Sequence, residues 1–411
     1  MSRLIIYNAS ILTLDDHDTF YYPGTVEIEG QFISKVYAGN PDQSLRDDPS
    51  ITFLDGTDKL VMPGLVDLHF HTSVAKSGTT TVNDMYRFLD SLADAASKIG
   101  IRAVLSNEVA LAEHQLDSID DNEASFESNN GRESGRIKVW MGHEWMCTSN
   151  LQLMEQVGQM KKRLGTCLHI HLSESEQEVA DVRAKFGKSP VEIAYETGCL
   201  GPDTVAAHCV HLTDRDISLL AATGTSVSYD PGSNAKLGNG IARLQDLLAA
   251  GVNVGMGIDA FECENSPDMF EQMKFGSLIQ RALHKDASLA KPHDILRIAT
   301  RNGAKALGIH AGIIEPGRKA DVIVLDLTKN QMFTPLLKDP AKRKTMLESH
   351  LVFGCNGSAV QHSIIDGVLV MKDFNVLAVD EQSLRKEMDT MFEGISEEMK
   401  KLVLKPREVL N

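Results

Sequence analysis

The spacing of hydrophobic positions changes near Val61. Before it, apolar residues come in short runs broken by turn residues: Leu4–Ile6, Ile11–Leu14, Thr25–Glu29 ahead of a Glu-Gly turn, Phe32–Val36 and Ile51–Leu54. This texture predicts a small β unit. After it, strand-like runs alternate with amphipathic stretches, the pattern of a parallel sheet with crossover helices. The runs are Leu65–Leu68, Thr79–Asp84, Arg102–Ser106, Ile137–Met141, Cys167–Leu172, Thr204–His208, Thr225–Tyr229 and Asn253–Asp259. Helical spacing lies between most of them, over Tyr86–Lys98, Leu151–Arg163, Glu176–Glu196, Asp214–Ala222 and Ile241–Ala250. Eight such units predict an α/β fold of the closed (β/α)8 TIM barrel type rather than an open doubly wound sheet. No Gly-x-Gly-x-x-Gly follows a strand, which argues against dinucleotide binding. Past the barrel, Asp321–Leu325, His362–Ile365 and Gly367–Met371 return to short strands, with Asp366-Gly367 as a hairpin signal. These strands could pair with the N-terminal β unit, so the expected division is β units over 1–60 and 311–375, a barrel over 61–310, and a charged helical tail over 376–411.

Composition narrows the function classes. The chain of 411 residues carries 57 Asp and Glu against 41 Lys and Arg, a formal charge of −16, which repels phosphate backbones and anionic lipid alike. Nucleic acid and membrane partners are therefore not expected. No apolar stretch approaches the ~18 residues of a membrane span, and the short Leu4 to Tyr7 run breaks at Asn8, so a cytoplasmic protein is expected. The six cysteines never form a Cys-x-x-Cys pair and read as free thiols.

Histidine placement carries the chemistry. Six of the 14 histidines occur as pairs at strand ends: His69 with His71, His169 with His171, and His208 with His211. Residues i and i+2 of a strand face the same way, so His69 and His71 can present two imidazoles to one ion. A lone His-x-His is weak evidence. Convergence at the C-terminal face of the barrel strengthens it, because the fifth predicted strand ends in His171, the sixth in His208 and the eighth in Asp259. Imidazole and carboxylate suit Zn²⁺ or Fe²⁺, and three or four protein ligands plus a water make an open catalytic site. Glu174, three residues beyond His171, reads either as a proton shuttle or as a carboxylate suited to a helix N-terminus. His143, ending the fourth run, reads equally as a substrate contact or a packed core residue.

Together these segments resemble a known superfamily. Val61-Met62-Pro63-Gly64-Leu65-Val66-Asp67-Leu68-His69-Phe70-His71, His169-Ile170-His171-Leu172-Ser173-Glu174, Ala206-Ala207-His208-Cys209-Val210-His211 and Gly257-Ile258-Asp259 are similar to motifs of the metal-dependent amidohydrolases. The resemblance is to the branch of cytosine, guanine and adenosine-type deaminases and triazine hydrolases. It extends through Asn302-Gly303-Ala304-Lys305-Ala306-Leu307-Gly308 and Ile314-Glu315-Pro316-Gly317-Arg318-Lys319-Ala320-Asp321. It implies a TIM barrel plus a β-sandwich assembled from both chain ends (1–60 and 311–375), with one divalent metal, zinc first and iron second, held by His69, His71, His171 and Asp259. It also implies Glu174 as proton shuttle, His208 as the residue polarising the attacked centre, Asp259 as a ligand that also takes the water proton, and His143 as a substrate contact. The fourth run ends Val139-Trp140-Met141-Gly142 with Lys138 well inside, unlike binuclear relatives bridged by a strand-end lysine, so a single metal is expected.

The expected reaction is hydrolytic deamination of an amino-substituted nitrogen heterocycle, a small molecule such as a nucleobase, nucleoside or triazine. Glu174 favours it, since ammonia is a poor leaving group that needs a proton donor. The rivals are a hydrolase that releases chloride or alkylamine or opens a cyclic amide, and a non-catalytic binding protein on the same scaffold. Homo-oligomers are common among resembling enzymes. One feature breaks the pattern: only Thr72 to Gly78 separate the first predicted strand from the second, where a parallel crossover needs a dozen or more residues. The junction Ala75-Lys76-Ser77-Gly78 reads like two segments of resembling proteins with the crossover left out between them, and a barrel without that helix is expected to expose an apolar flank. Intact mass tests this: several kDa above 45.1 kDa is expected if a crossover of ~30 residues was left out, and 45.1 kDa if the chain runs straight on.

Overall fold

The computed structural model describes residues 3–403 except 72–75 and 330–338, with side chains described to residue 396. Among the described residues, no helix is long and apolar enough to cross a membrane.

Eight parallel strands close into a barrel. They are Leu65–His71, Thr79–Met85, Arg102–Ser106, Ile137–Val139 continued by Met141–His143, Leu168–Leu172, Thr204–His208, Ser226–Tyr229 and Val254–Met256. The eighth returns to the first through Met256 beside Asp67, and the short strand Asp259–Ala260 extends the seam beside Phe70 and His71. The fourth strand breaks at Trp140; its first piece pairs with the third strand and its second with the fifth. Nearly every strand residue is buried, as expected when a parallel sheet is covered on both faces.

Crossover helices follow where the spacing predicts, with shifted ends. The stretch 176–196 is two helices, Glu176–Phe186 and Pro190–Glu196. Gly187 takes a left-handed φ of 71°, and Ser189 caps the second helix ahead of Pro190. Glycine ends a helix in this conformation at little cost, and proline starts one by lacking the amide hydrogen that would be unsatisfied there.

Both chain ends supply one nine-stranded sheet. In spatial order its strands are Asn375–Val376, Val368–Lys372, Val360–Ile365, Val322–Asp326, Lys59–Pro63, Arg3–Leu12, Phe20–Glu29 and Phe32–Ala38, with Ile51–Asp55 pairing onto Arg3–Leu12. The two runs Leu4–Ile6 and Ile11–Leu14 belong largely to one strand, kinked near Asn8 (φ 59°), whose halves pair with different neighbours. At the Asp366-Gly367 hairpin both residues have positive φ. A Cβ on Gly367 would sit 1.7 Å from the Gly30 carbonyl oxygen, so the turn closes only with glycine.

Among the described residues no helix joins the first two barrel strands, yet the strands themselves are not exposed. All seven residues of each strand are buried. The C-terminal sheet backs this corner: a Cβ on Gly78 would lie 3.1 Å from Val360 and 3.2 Å from Ile323. What remains is a mostly apolar cavity of about 410 Å³, bordered by Lys76, Ser77, Pro267, Val360, Met371 and Phe374. The Lys76–Ser77 junction itself lies in a turn, and the preceding residues 72–75 fall outside the described chain.

A buried ion network ties barrel to sheet. Arg102, at the start of the third strand, donates to Asp321 through Nε at 2.7 Å and Nη2 at 3.0 Å, and to Asp366 at 2.9 Å. Lys319 donates to Asp366 at 2.7 Å. Removing one member leaves an uncompensated buried charge, so Arg102→Met is expected to destabilise the fold by about 3–5 kcal/mol, read by urea unfolding. A loss below ~1 kcal/mol would show that the clamp is solvated and dispensable.

Candidate metal centre and active site

The strand ends deliver their side chains to a cavity of about 220 Å³ at the C-terminal face of the barrel, walled by His71, His171, His208, Asp259, Glu174 and Trp145. His69 lies just beneath, fully buried. Of the expected metal-binding residues, His69, His71 and His171 have ligand atoms within 4.8 Å of one another. Asp259 Oδ1 stands 3.5 Å from His69 Nε2 and 3.4 Å from His71 Nε2. His69, His208 and Asp259 form a second such group, so all five residues share one cluster.

Hydrogen bonds set the tautomers. Ser106 Oγ donates to the Asp84 carbonyl at 3.3 Å, so it accepts from His169 Nδ1 at 3.4 Å. His169 Nε2 is then the acceptor for His69 Nδ1–H at 3.0 Å. His171 Nδ1–H donates to the Glu144 carbonyl at 2.8 Å, and His208 Nδ1–H to Asn234 Oδ1 at 3.1 Å. The Nε2 lone pairs of His69 and His171 therefore remain free. His69 Nε2 is buried with no hydrogen-bond partner, a costly arrangement unless something accepts its lone pair. Burial holds the histidines neutral: His69 and His169 fall well below the usual imidazole range, His71 falls, and His171 falls to about 4. Against burial, which raises it, Asp259 is held well below the usual carboxylate range by His69, His208 and His71. Neutral imidazoles beside an ionised carboxylate fit a divalent cation.

His208 differs. Burial pulls it down, but Glu174, Asp230 and Asp259 push it up to about 9. Its Nε2 lies 3.9 Å from Glu174 Oε2. The Glu174 carboxylate is held on both oxygens, by Trp145 Nε1 at 2.9 Å and Asn239 Nδ2 at 2.8 Å. An oriented carboxylate beside a protonated imidazole and a cluster of metal donors can move a proton to a bound molecule and stabilise developing negative charge.

Backbone strain accompanies the site. His208 and Asp259 have φ of 68° and 77°, unusual for residues with a Cβ. Buried carboxylates brace them: Asp230 accepts the His208 N–H at 2.9 Å, and Asp67 accepts the N–H groups of Ile258 at 3.1 Å and His69 at 3.2 Å. Ser233 Oγ donates to Asp259 Oδ2. Sequence reading missed these supports. Asp67 sits within the His69 motif, and Asp230 follows the seventh strand, so strand-end position could have found both. Trp145 and Asn239 come from loops and give no such signal.

His143 lies at the end of the fourth strand beside Ile170, fully buried, with neither ring nitrogen hydrogen-bonded, and is absent from the cavity wall. His211 Nε2 meets the Asn239 carbonyl at 2.6 Å instead of joining the cluster.

Comparison with known proteins adds the following. Residues 72–370 match the amidohydrolase family. A 5'-deoxyadenosine deaminase of Methanosarcina mazei is 32% identical over 94% of this chain and 97% of its own. A 5-methylthioadenosine/S-adenosylhomocysteine deaminase of Caldanaerobacter subterraneus subsp. tengcongensis is also 32% identical, with the same shares. The first alignment spans 433 positions but engages 94% of the 411 residues, about 386, so about 47 positions have no counterpart here. Among solved structures, a zinc-bound adenosine deaminase from Xanthomonas campestris superposes with a TM-score of 0.85 at 24% identity, covering 96% of this chain and 98% of that one. A zinc-bound atrazine chlorohydrolase from Arthrobacter aurescens superposes at 0.83 and 18%, covering 94% and 99%. Both share the fold.

Burial, with the nearby His171 charge adding to it, lowers His143 to about 3. Its folded value lies below the ordinary ~6.5, so the unfolded chain takes up the proton first as pH falls. Stability is complete above about pH 6.5 and is lost progressively towards about pH 3. Between about pH 6.5 and 5 the parent should lose about 2 kcal/mol more than His143→Leu in urea unfolding, and equal losses would refute a neutral buried His143.

Proposed function

The chain belongs to the amidohydrolase family, and from that premise we propose that it hydrolytically deaminates an adenosine-type nucleoside at the His69, His71, His171 and Asp259 centre. It is an enzyme acting on carbon–nitrogen bonds other than peptide bonds, and the donor set supports a divalent metal; we propose a single zinc ion. The observation that carries the substrate chemistry is the Glu174 carboxylate, fixed by Trp145 and Asn239 and facing His208 across 3.9 Å.

A bound ion supplies Lewis acidity that makes water nucleophilic near neutral pH. In this reading the residues divide the remaining work. Asp259, with Oδ2 held by Ser233, takes the proton released by the attacking water at its other oxygen. Glu174 relays the water's other proton to the ring nitrogen beside the amine-bearing carbon, while His208 Nε2–H stabilises negative charge on the attacking oxygen. The proton held by Asp259 then passes to the amine, which leaves as ammonia, and the oxygen stays behind as the oxo group. The hydrogen bond from His208 Nδ1 to Asn234 aims its Nε2 at the cavity, and the carboxylates of Glu174, Asp230 and Asp259, which keep it protonated, separate its role from that of the three histidines assigned to the ion.

Ammonia release from adenosine-type nucleosides, measured beside triazines, tests the reading. Glu174→Gln should retain its metal by elemental analysis and lose roughly 10²–10⁴ in kcat, because the amide cannot pass the proton. A metal-replete Glu174→Gln variant with full activity would instead favour release of chloride or alkylamine, which needs no such donor.

A further inference from the structure

Resting on the deaminase reading, we propose that the cavity takes adenosine-type nucleosides whose 5′ end is neutral or cationic and rejects those with an anionic group there. The argument is the sign of the charge in the wall. Among the described residues, five carboxylates face the cavity, Glu108, Glu144, Glu174, Asp259 and Glu262, and no lysine or arginine lines it. The nearest cations are already engaged. Arg87 Nε lies 3.3 Å from Glu108 Oε2, and Lys236 Nζ donates to the Glu262 carbonyl at 2.7 Å and to Asn265. The short connection between the first two barrel strands adds no cation at 72–75, whose residues are Thr, Ser, Val and Ala. Lys76, which follows, is paired with Glu381 at 2.6 Å.

Position within the cavity matters as much as the count. Asp259 belongs to the metal centre, and Glu174 is committed to the base by its reaction. With the amine-bearing carbon fixed there, ribose and 5′ substituent extend toward the mouth. Glu108 enters the cavity from beyond the third strand, and exposed Glu262 from beyond the eighth. Glu144 Oε2, between base and mouth, is buried without a hydrogen-bond partner and offers an acceptor to a donor-bearing ligand. A carboxylate or phosphate entering this space would lose its water against like charges, while an ammonium would gain partners. The formal charge of −16 on the whole chain extends the same preference to approach from solution. S-adenosylhomocysteine, named for one of the relatives, carries a carboxylate and an ammonium together at its 5′ end and so probes the two signs at once; 5'-deoxyadenosine carries neither.

The test compares kcat/KM of the metal-loaded enzyme for 5′-amino-5′-deoxyadenosine, 5′-deoxyadenosine, S-adenosylhomocysteine and adenosine 5′-monophosphate. The expected order falls from the amine to the monophosphate, with a spread of at least about tenfold that shrinks as salt is added. Glu108→Gln combined with Glu262→Gln should narrow the spread between the amine and the monophosphate. Calorimetric binding of the same four compounds to Glu174→Gln reads the charge preference without turnover. Equal affinities, or tightest binding of the monophosphate, would overturn the proposal even with deamination intact. The expected binding order with no turnover of any compound would support the charge selection and sink the deaminase reading instead.

Discussion

Packing several imidazoles inside a barrel is tolerable only if every ring nitrogen has somewhere to put its hydrogen or its lone pair. Four of them here have ring centroids 4.7 to 5.6 Å apart wherever the contacts among His69, His71, His171 and His208 are recorded. Protonating them together would set like charges against one another in a space without water. The relay from His69 through His169 to Ser106 resolves this by consuming Nδ1 hydrogens downward, into the barrel. The lone pairs are thereby turned upward, to the C-terminal face. Burial keeps these rings neutral, and this direction of hydrogen bonding fixes which of their lone pairs face the cavity.

The exception in the ring is instructive. His208 is as buried as its neighbours, yet three carboxylates surround it and its backbone is strained into a left-handed conformation. Asp230 both accepts its amide and lies 3.6 Å from its Nδ1. The same kind of side chain is thus held neutral at His171 and charged at His208 by what stands within a few ångströms, which is how one cluster can both bind a cation and donate a proton.

Away from the chemistry, the fold compensates for an abbreviated connection. A barrel missing one crossover helix should show an apolar flank, but the sheet built from both chain ends leans against the first two strands, and Arg102 locks that sheet to the third. The clamp lies at the end of the barrel opposite the site. The C-terminal face is correspondingly left to the segments that follow the strands, and these contribute the carboxylates Glu108 and Glu144 from loops and Glu262 from the short helix Phe261–Glu264.

The eight barrel strands, the alternation with helices, the histidine pairs, Glu174 and Asp259 were legible in the sequence because each rests on a local rule: period-two alternation, strand length, and a polar residue where an apolar run stops. Local rules do not extend across the barrel. Whether His169 or His171 meets the cavity depends on how far along the strand each sits relative to its neighbours, with His171 level with Ala207 and Leu172 level with His208. The burial of His143, the break at Trp140 and the grip of Trp145 and Asn239 on Glu174 likewise come from residues distant in the chain. The cover over the first flank was illegible for the same reason, since the strands that provide it begin some 280 residues later, at Val360. Side-chain alternation is written in adjacent residues, so the sequence alone determined which residues could reach the barrel mouth; strand register and loop packing arise from long-range contacts, so only the tertiary structure decided which did, and with what charge around them.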